Sequence, residues 1–212
     1  TRDVYRHPYE TLNFFGIEPD MTVVELNPGG GWYTEILANY IHYPGTLIAA
    51  QGSYYLEGFE KKMNSNPMYG RVEIVNLNST LAKPNSVDAV LTFRNLHNWL
   101  GPEMDSIFKN SFIALKPGGH FGVVEHRAKP GTDLETMKGS GYVTEAHAVE
   151  VALEQGFELV AKSEINANPK DTKDHPKGVW TLPPRLRLDD EDRDKYEAIG
   201  ESDRMTLLFR KP

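Results

Sequence analysis

Residues Thr22 to Ile41 read TVVELNPGGGWYTEILANYI, and this stretch changes character twice. Its first five residues, Thr22-Val23-Val24-Glu25-Leu26, are mostly apolar and β-branched, the composition of a short buried strand. Asn27-Pro28-Gly29-Gly30-Gly31 then ends any regular element, because neither a helix nor a strand interior tolerates such a run. Tyr33, Ile36, Leu37, Tyr40 and Ile41 recur at i, i+3, i+4, i+7 and i+8, the apolar stripe of an amphipathic helix. Strand, glycine turn and helix in that order form the entry unit of a nucleotide-binding α/β domain. The glycines let the backbone approach a ligand, and the helix N-terminus offers unpaired N–H groups. The plainer alternative is a tight strand-to-helix turn that holds nothing.

Outward from this unit the alternation repeats. After the turn Tyr43-Pro44-Gly45, Thr46 to Ala50 reads as a second strand. Ser53 to Asn64 reads as a helix with Leu56, Phe59 and Met63 on one side, and Arg71 to Val75 as a third strand. Val87 to Phe93 is a near-continuous apolar run, fit for a parallel strand covered on both faces. It leads into Arg94-Asn95-Leu96-His97-Asn98-Trp99, a polar cluster beyond a strand's carboxyl end, where ligands of doubly wound sheets sit. Gly101-Pro102 opens a helix that stops at Lys116-Pro117-Gly118-Gly119, and His120 to Glu125 follows as a strand running into His126-Arg127. Thr144 is placed to cap a helix that Gly156 ends. Gly156 to Val160 and Asp203 to Lys211 read as the last two strands.

Ahead of all this, residues 1–20 read as a leading helix opened by Pro8 and closed by Gly16. Arg6-His7 is either solvated or lends polar groups to the cofactor mouth. Residues 166–203, rich in Pro, Lys, Asp and Arg, separate the last two strands. A connection that long is functional or disordered, and it reads as a substrate-side flap, with a solvated loop as the alternative.

Bulk properties narrow the function. A chain of 212 residues makes a single domain spanning 1–212 with the leading helix and the flap as decoration. Its net charge of −7 argues against a nucleic-acid partner, which wants a concentrated basic surface. No run is long and apolar enough for a membrane span. The absence of cysteine excludes disulfides, thiolate nucleophiles and cysteine-held metals.

Taken together, ELNPGGGW, VDAVLTFRNLHNW, LKPGG and GESDRMTLLF, with the opening HPYETLNFFGI, resemble class I S-adenosylmethionine (SAM)-dependent methyltransferases. Within that class they look like a bacterial family known from sequence prediction. The resemblance implies a doubly wound, Rossmann-like, seven-stranded and mostly parallel sheet whose last strand is antiparallel. It implies SAM as cofactor. Glu25 matches the acidic residue of motif I, and Gly29 and Gly31 match the second and third glycines of its GxGxG. Asn27 stands in for the first glycine, and Asn tolerates positive φ better than most residues. Gln51 stands where the family carries an acid that grips the ribose. An amide keeps a hydrogen bond there but not the charge. Asn78, with Asn76 close behind, matches the adenine contact, or else simply makes a turn. Arg94 and Asn95 fall beside the methionine part of the cofactor. Some members begin with a secretion-like segment. A leader removed before Thr1 would therefore mean the periplasm or secretion, whereas cofactor supply points to the cytoplasm.

Methyl transfer needs an acceptor lone pair aligned with the methyl carbon. A hydroxyl or ammonium acceptor also needs a base. His97 and His126 are the candidate bases, because an imidazole titrates near neutral pH, and Asn98 could orient the acceptor. Trp32 or Tyr33 could flank the sulfonium by cation–π contact, with packing at the helix head as the alternative. Arg127 and Arg204 could bind an acidic acceptor, or pair with acids such as Asp203. His97, Glu125 and His126 also invite a metal reading. Adjacent Glu125 and His126 would point to opposite faces of a continuing strand, so no metal is expected. His42, His120, His147 and His175 read as packing or surface groups. The expected function is methyl transfer from SAM to a small-molecule acceptor. A non-catalytic SAM-binding module is one alternative. A nicotinamide oxidoreductase is another, against which both Gln51 and LKPGG argue.

Overall fold

The strand–turn–helix unit sits at the centre of a seven-stranded sheet in the computed structural model, which describes residues 2–212. The strands are β1 (Thr22–Leu26), β2 (Thr46–Gln51), β3 (Glu73–Asn76), β4 (Val87–Phe93), β5 (Leu115–His126), β6 (Glu158–Ser163) and β7 (Arg204–Arg210). Their order is β3-β2-β1-β4-β5-β7-β6. β1 to β5 pair in parallel, and β7 inserts antiparallel between β5 and β6. The order reverses between β1 and β4, so their carboxyl ends flank the crevice where such sheets bind ligands.

Side-chain alternation sorts the core into two layers. Val23 and Leu91 face one side with Leu12, Phe15, Tyr33 and Leu37. Val24 and Val90 face the other with Leu96, Trp99, Phe108 and Phe121. Helices α2 (Pro8–Phe14) and α3 (Trp32–Tyr40) cover the first side; α5 (Leu96–Trp99), α6 (Pro102–Ala114) and α8 (Glu145–Glu154) cover the second. α4 (Leu56–Asn64) closes a small cluster of Ala49, Phe59 and Met63 at the β2 edge. Gly122 on β5 is where the leading segment docks: a Cβ there would lie 2.7 Å from the Phe15 ring and 2.8 Å from Leu91. Only a residue without a side chain admits that approach.

Four expectations change in detail. The leading helix is two short ones, α1 (Asp3–Arg6) and α2, hinged at His7 with φ 39°, and Thr1 lies outside the described residues. That hinge turns Arg6 inward until only 2% of it is exposed. LKPGG does not precede the fifth strand but belongs to it. β5 starts at Leu115 and absorbs the Pro-Gly-Gly as a register shift between the Val87–Leu115 and Ala89–His120 pairs. A further helix, α7 (Leu134–Ser140), is capped by Asp133. Finally, residues 166–203 are built around buried polar anchors. Asp171 accepts from the Tyr142 hydroxyl at 3.0 Å and the Asp203 amide at 2.8 Å, and Asn168 donates to the Ile199 and Glu201 carbonyls. A 3-10 turn over Gly178–Thr181 and helix α9 (Arg193–Ile199) complete the segment. Thr144 caps α8 as expected, accepting from the His147 amide at 3.2 Å. Among the described residues, no helix is long and apolar enough to cross a membrane.

Candidate functional site

Glu25, Asn27, Trp32, Tyr33, Arg94 and Asn95 line one cleft at the carboxyl ends of β1 and β4. Asn27 takes φ 47°, Gly29 58° and Gly31 75°, so the loop adopts three left-handed residues. A Cβ on Gly29 or Gly30 would meet nothing within 4 Å, so the loop faces open space. The loop is held by amides. Asn95 Nδ2 reaches the Leu26 and Asn27 carbonyls at 3.1 and 3.2 Å, while its Oδ1 accepts from Asn27 Nδ2 at 3.1 Å. Gln51, fully buried, donates to the Gly29 carbonyl at 3.0 Å and accepts from the Gly52 amide at 3.2 Å. The residue at the expected ribose position thus braces the loop. Glu25 turns away onto α3, accepting from the Thr34 hydroxyl at 2.5 Å, and burial raises its pKa to about 7. Asn78 lies exposed two residues past β3. Its amide donates to Asn76 Oδ1 at 2.9 Å, so Asn76 makes the turn and leaves the Asn78 side chain free.

The aromatic pair divides. Tyr33 stacks on Phe93 with centroids 3.5 Å apart and donates its hydroxyl to the Arg6 carbonyl at 3.1 Å, so it packs. Trp32 presents its ring to the Arg6 guanidinium at 4.7 Å, a cation–π contact made with the protein's own arginine.

Beyond β4 the chain turns at Arg94, with φ 62°, into the single-turn helix α5 that carries His97 and exposed Asn98. His97 Nδ1 lies 3.1 Å from Glu125 Oε1. A carboxylate only accepts, so Nδ1 carries the proton of this bond, and in the neutral ring the lone pair then sits on Nε2. Glu125 is fully buried and also accepts from the His126 and His97 amides at 2.7 and 3.4 Å. The His126 ring lies 5.4 Å from that of His97, and its Nδ1 lies 2.5 Å from Ser202 Oγ. Burial, then His97 and the arginines 204, 94 and 6, hold His126 well below the usual histidine pKa, so it is neutral at pH 7. The expected divergence of Glu125 from His126 does not hold. β5 ends at His126, and ligand atoms of His97, Glu125 and His126 lie within 4.8 Å of one another. Trp180, from the 166–203 segment, stands edge-on to His97 at 6.1 Å.

The two arginines expected at an acidic acceptor part company. Arg127 is clamped by Asp203, at 2.9 and 3.0 Å, and by Glu164, at 2.6 and 2.7 Å, and these carboxylates raise its pKa. Its guanidinium is spent inside the protein. Arg204 is buried, pairs with Glu201 and donates to the Tyr5 carbonyl at 3.0 Å. Sequence reading missed Glu125 as the partner of His97, and it missed Ser202, Glu201 and Trp180 altogether. Arg6 was legible only as one branch of an open choice. A larger surface cavity, about 490 Å³, opens at the opposite end of β2 among Ala38, Ile41, Thr46, Leu47 and Arg71, away from every expected site residue.

No known family profile matches the chain, and no curated protein matches it. Solved structures do. A SAM-dependent methyltransferase from Aquifex aeolicus superposes with a TM-score of 0.69 at 15% identity, covering 100% of this chain and 93% of that one. Geranyl diphosphate methyltransferase in complex with SAM superposes at 0.67 and 10% identity, covering 98% of this chain and 85% of that one. The [4+2]-cyclase SpnF superposes at 0.69 and 16% identity, covering 98% of this chain and 81% of that one. The chain therefore has the Rossmann-like fold of class I SAM-dependent methyltransferases.

Proposed function

We propose that this chain transfers a methyl group from SAM to a small-molecule acceptor, with His97 as the base. The observation that carries the proposal is the buried Glu125 carboxylate 3.1 Å from His97 Nδ1, which leaves Nε2 as the acceptor atom of the neutral ring. The fold alone does not decide the reaction, since SpnF is a cyclase on a similar scaffold.

The residues present fit the cofactor. The open space over Gly29 and Gly30 leaves room for close backbone approach, and the N-terminus of α3 offers unpaired N–H groups to a carboxylate. Asn27, Gly29, Gly31 and Asn95 would hold the methionine end and Asn78 the adenine. Gln51 would reach the ribose only through the N–H its amide still has to spare. When bound, SAM supplies an electrophilic methyl group. His97 Nε2 takes the proton from an acceptor hydroxyl or ammonium. Glu125 holds the imidazole in that tautomer and stabilises the imidazolium that forms. Neutral His126, bridged to Ser202, adds a polar wall without a second positive charge. Asn98 is free to orient the acceptor. Trp180 and its segment act as the flap that keeps water from His97, and hydrogen exchange over 166–203 should slow only when cofactor and acceptor are both bound.

Gln51 favours a second reading, a SAM-binding module without turnover, because its amide is largely consumed by Gly29 and Gly52. Calorimetry with SAM and with NADH, followed by isotope transfer from labelled SAM into a metabolite extract, separates the readings. SAM binding with label transfer supports the enzyme. SAM binding without transfer to any metabolite leaves the module.

A further inference from the structure

Arg94 lines the cleft, and Arg6, stacked on the cleft's Trp32, shares Glu201 with Arg204. Arg6 forks onto Glu201, Nε to Oε2 at 3.0 Å and Nη2 to Oε1 at 3.1 Å, and Arg204 reaches the same Glu201. Arg6, Arg204 and Glu201 are each 2% exposed. Arg6 Nη1 and Arg204 Nε are buried with no partner. Arg94, half-buried in the cleft, has no carboxylate within ion-pair reach among the described residues. Burial and then Arg204 and Arg6 lower its pKa to about 9.

The neighbouring acids are already committed. Glu125 serves His97, Glu25 serves Thr34, and Asp203 serves Arg127 and Lys173. Buried unpaired guanidinium donors are costly. Arg6 and Arg204 share one acid and each keeps an unpartnered donor, so the cluster holds charge and hydrogen bonding in excess beside the cleft. The cluster borders the cleft, because Arg6 stacks on Trp32 and Arg94 lines the cleft beside that same Trp32.

We propose that Arg94, with the buried Arg6–Glu201–Arg204 cluster adding positive charge beside it, forms an oxyanion subsite that takes a carboxylate or phosphate group of the methyl acceptor. This rests on the methyltransferase reading above and names the acceptor's chemical class. The charge balance selects the acceptor over the cofactor. SAM carries one carboxylate against an ammonium and a sulfonium, so it brings net positive charge to a site where three guanidiniums already outnumber the carboxylates of Glu201 and Glu125. An anionic acceptor removes that excess and places its nucleophile near His97. Arg94, which the family resemblance puts beside methionine, thereby faces the acceptor.

Thermal unfolding of the SAM-loaded protein, titrated with inorganic phosphate against chloride at equal ionic strength, tests the subsite, with SAM affinity measured by calorimetry. The expected result is a saturable rise in melting temperature with phosphate. In Arg94→Gln the apparent phosphate affinity should fall about tenfold or more, with partial recovery in Arg94→Lys, while SAM affinity stays within about threefold. Absence of a saturable phosphate effect in the wild-type protein overturns the proposal. So does phosphate competing with SAM, or a tenfold loss of SAM affinity in Arg94→Gln, either of which assigns the guanidinium to the cofactor's own carboxylate. Failure of SAM to bind at all defeats the methyltransferase reading instead, and phosphate titration of the free protein still reads the subsite.

Discussion

Around the glycine loop, Asn27 and Gln51 from the β1–β2 side and Asn95 from beyond β4 make neutral amide contacts at 3.0 to 3.1 Å. On the β4–β5–β7 side, Arg6, Arg94, His97, His126 and Arg204 keep charges and ring nitrogens that the protein satisfies only in part. The first side is held by hydrogen bonds within the protein. The second holds unspent hydrogen-bonding and charge, which is what a site for bond-making needs.

The largest test of that division falls on the reactive side. His97→Ala should lower turnover by about 10²–10⁴-fold, the usual cost of losing a general base. SAM affinity should stay within a few-fold, since the ring bonds Glu125 and not the loop. Turnover at the wild-type rate would remove the base from His97.

Glu25 tests whether the amide side really is neutral. Its pKa rises from 4.5 to about 7 through burial. A carboxyl raised in the folded state contributes its full stability below pH 4.5 and loses it as pH climbs through 7. Glu25→Gln keeps an acceptor for Thr34 and removes the titration. Relative to wild type, it should gain about 3 kcal/mol between pH 4.5 and pH 8 in denaturant unfolding. A constant difference across that range would mean the carboxylate is solvated or paired.

The loop itself is tested at Gly30. Gly29 at φ 58° would strain under any side chain, so Gly29→Val mixes folding with binding. Gly30 has an ordinary φ and open space above it. Gly30→Val should keep the melting temperature near wild type and weaken SAM by about 100-fold, or about 2.7 kcal/mol. Undiminished affinity would place the cofactor elsewhere.

How much of this was legible in sequence follows the same division. The binding wall is local: a strand, a glycine turn and a helix stripe lie within twenty residues, and β4 ends visibly at Arg94. The reactive wall is tertiary. Arg6 and Glu201 meet across 195 positions, and His97 and Glu125 across 28, with no spacing to announce either pair. Pro117-Gly118-Gly119 reads as a stop because turn residues dominate it, yet β4 supplies a neighbour that accommodates it as a bulge. Residues 166–203 lack apolar periodicity because buried polar anchors such as Asp171 and Asn168 order them.

Gln51→Glu gives the smallest expected change and the finest reading of the comparison. Restoring an acid at this position would offer ribose hydroxyls a charged acceptor, about 1.5–3 kcal/mol at best. The same change removes the amide that donates to the Gly29 carbonyl at 3.0 Å, and it sets a carboxylate oxygen against that carbonyl. An unmet buried carbonyl costs about 1–3 kcal/mol, and the position is fully buried, which opposes the charge further. The gain and the loss nearly cancel in binding but not in the free protein. SAM affinity should therefore move by less than about tenfold, while the ligand-free melting temperature drops by about 2–4 °C per kcal/mol lost. A tenfold tighter SAM complex with an unchanged melting temperature would show that Gln51 is not a brace. The glycine loop would then be free to open toward the ribose, and the amide-held wall would be no more rigid than the charged one.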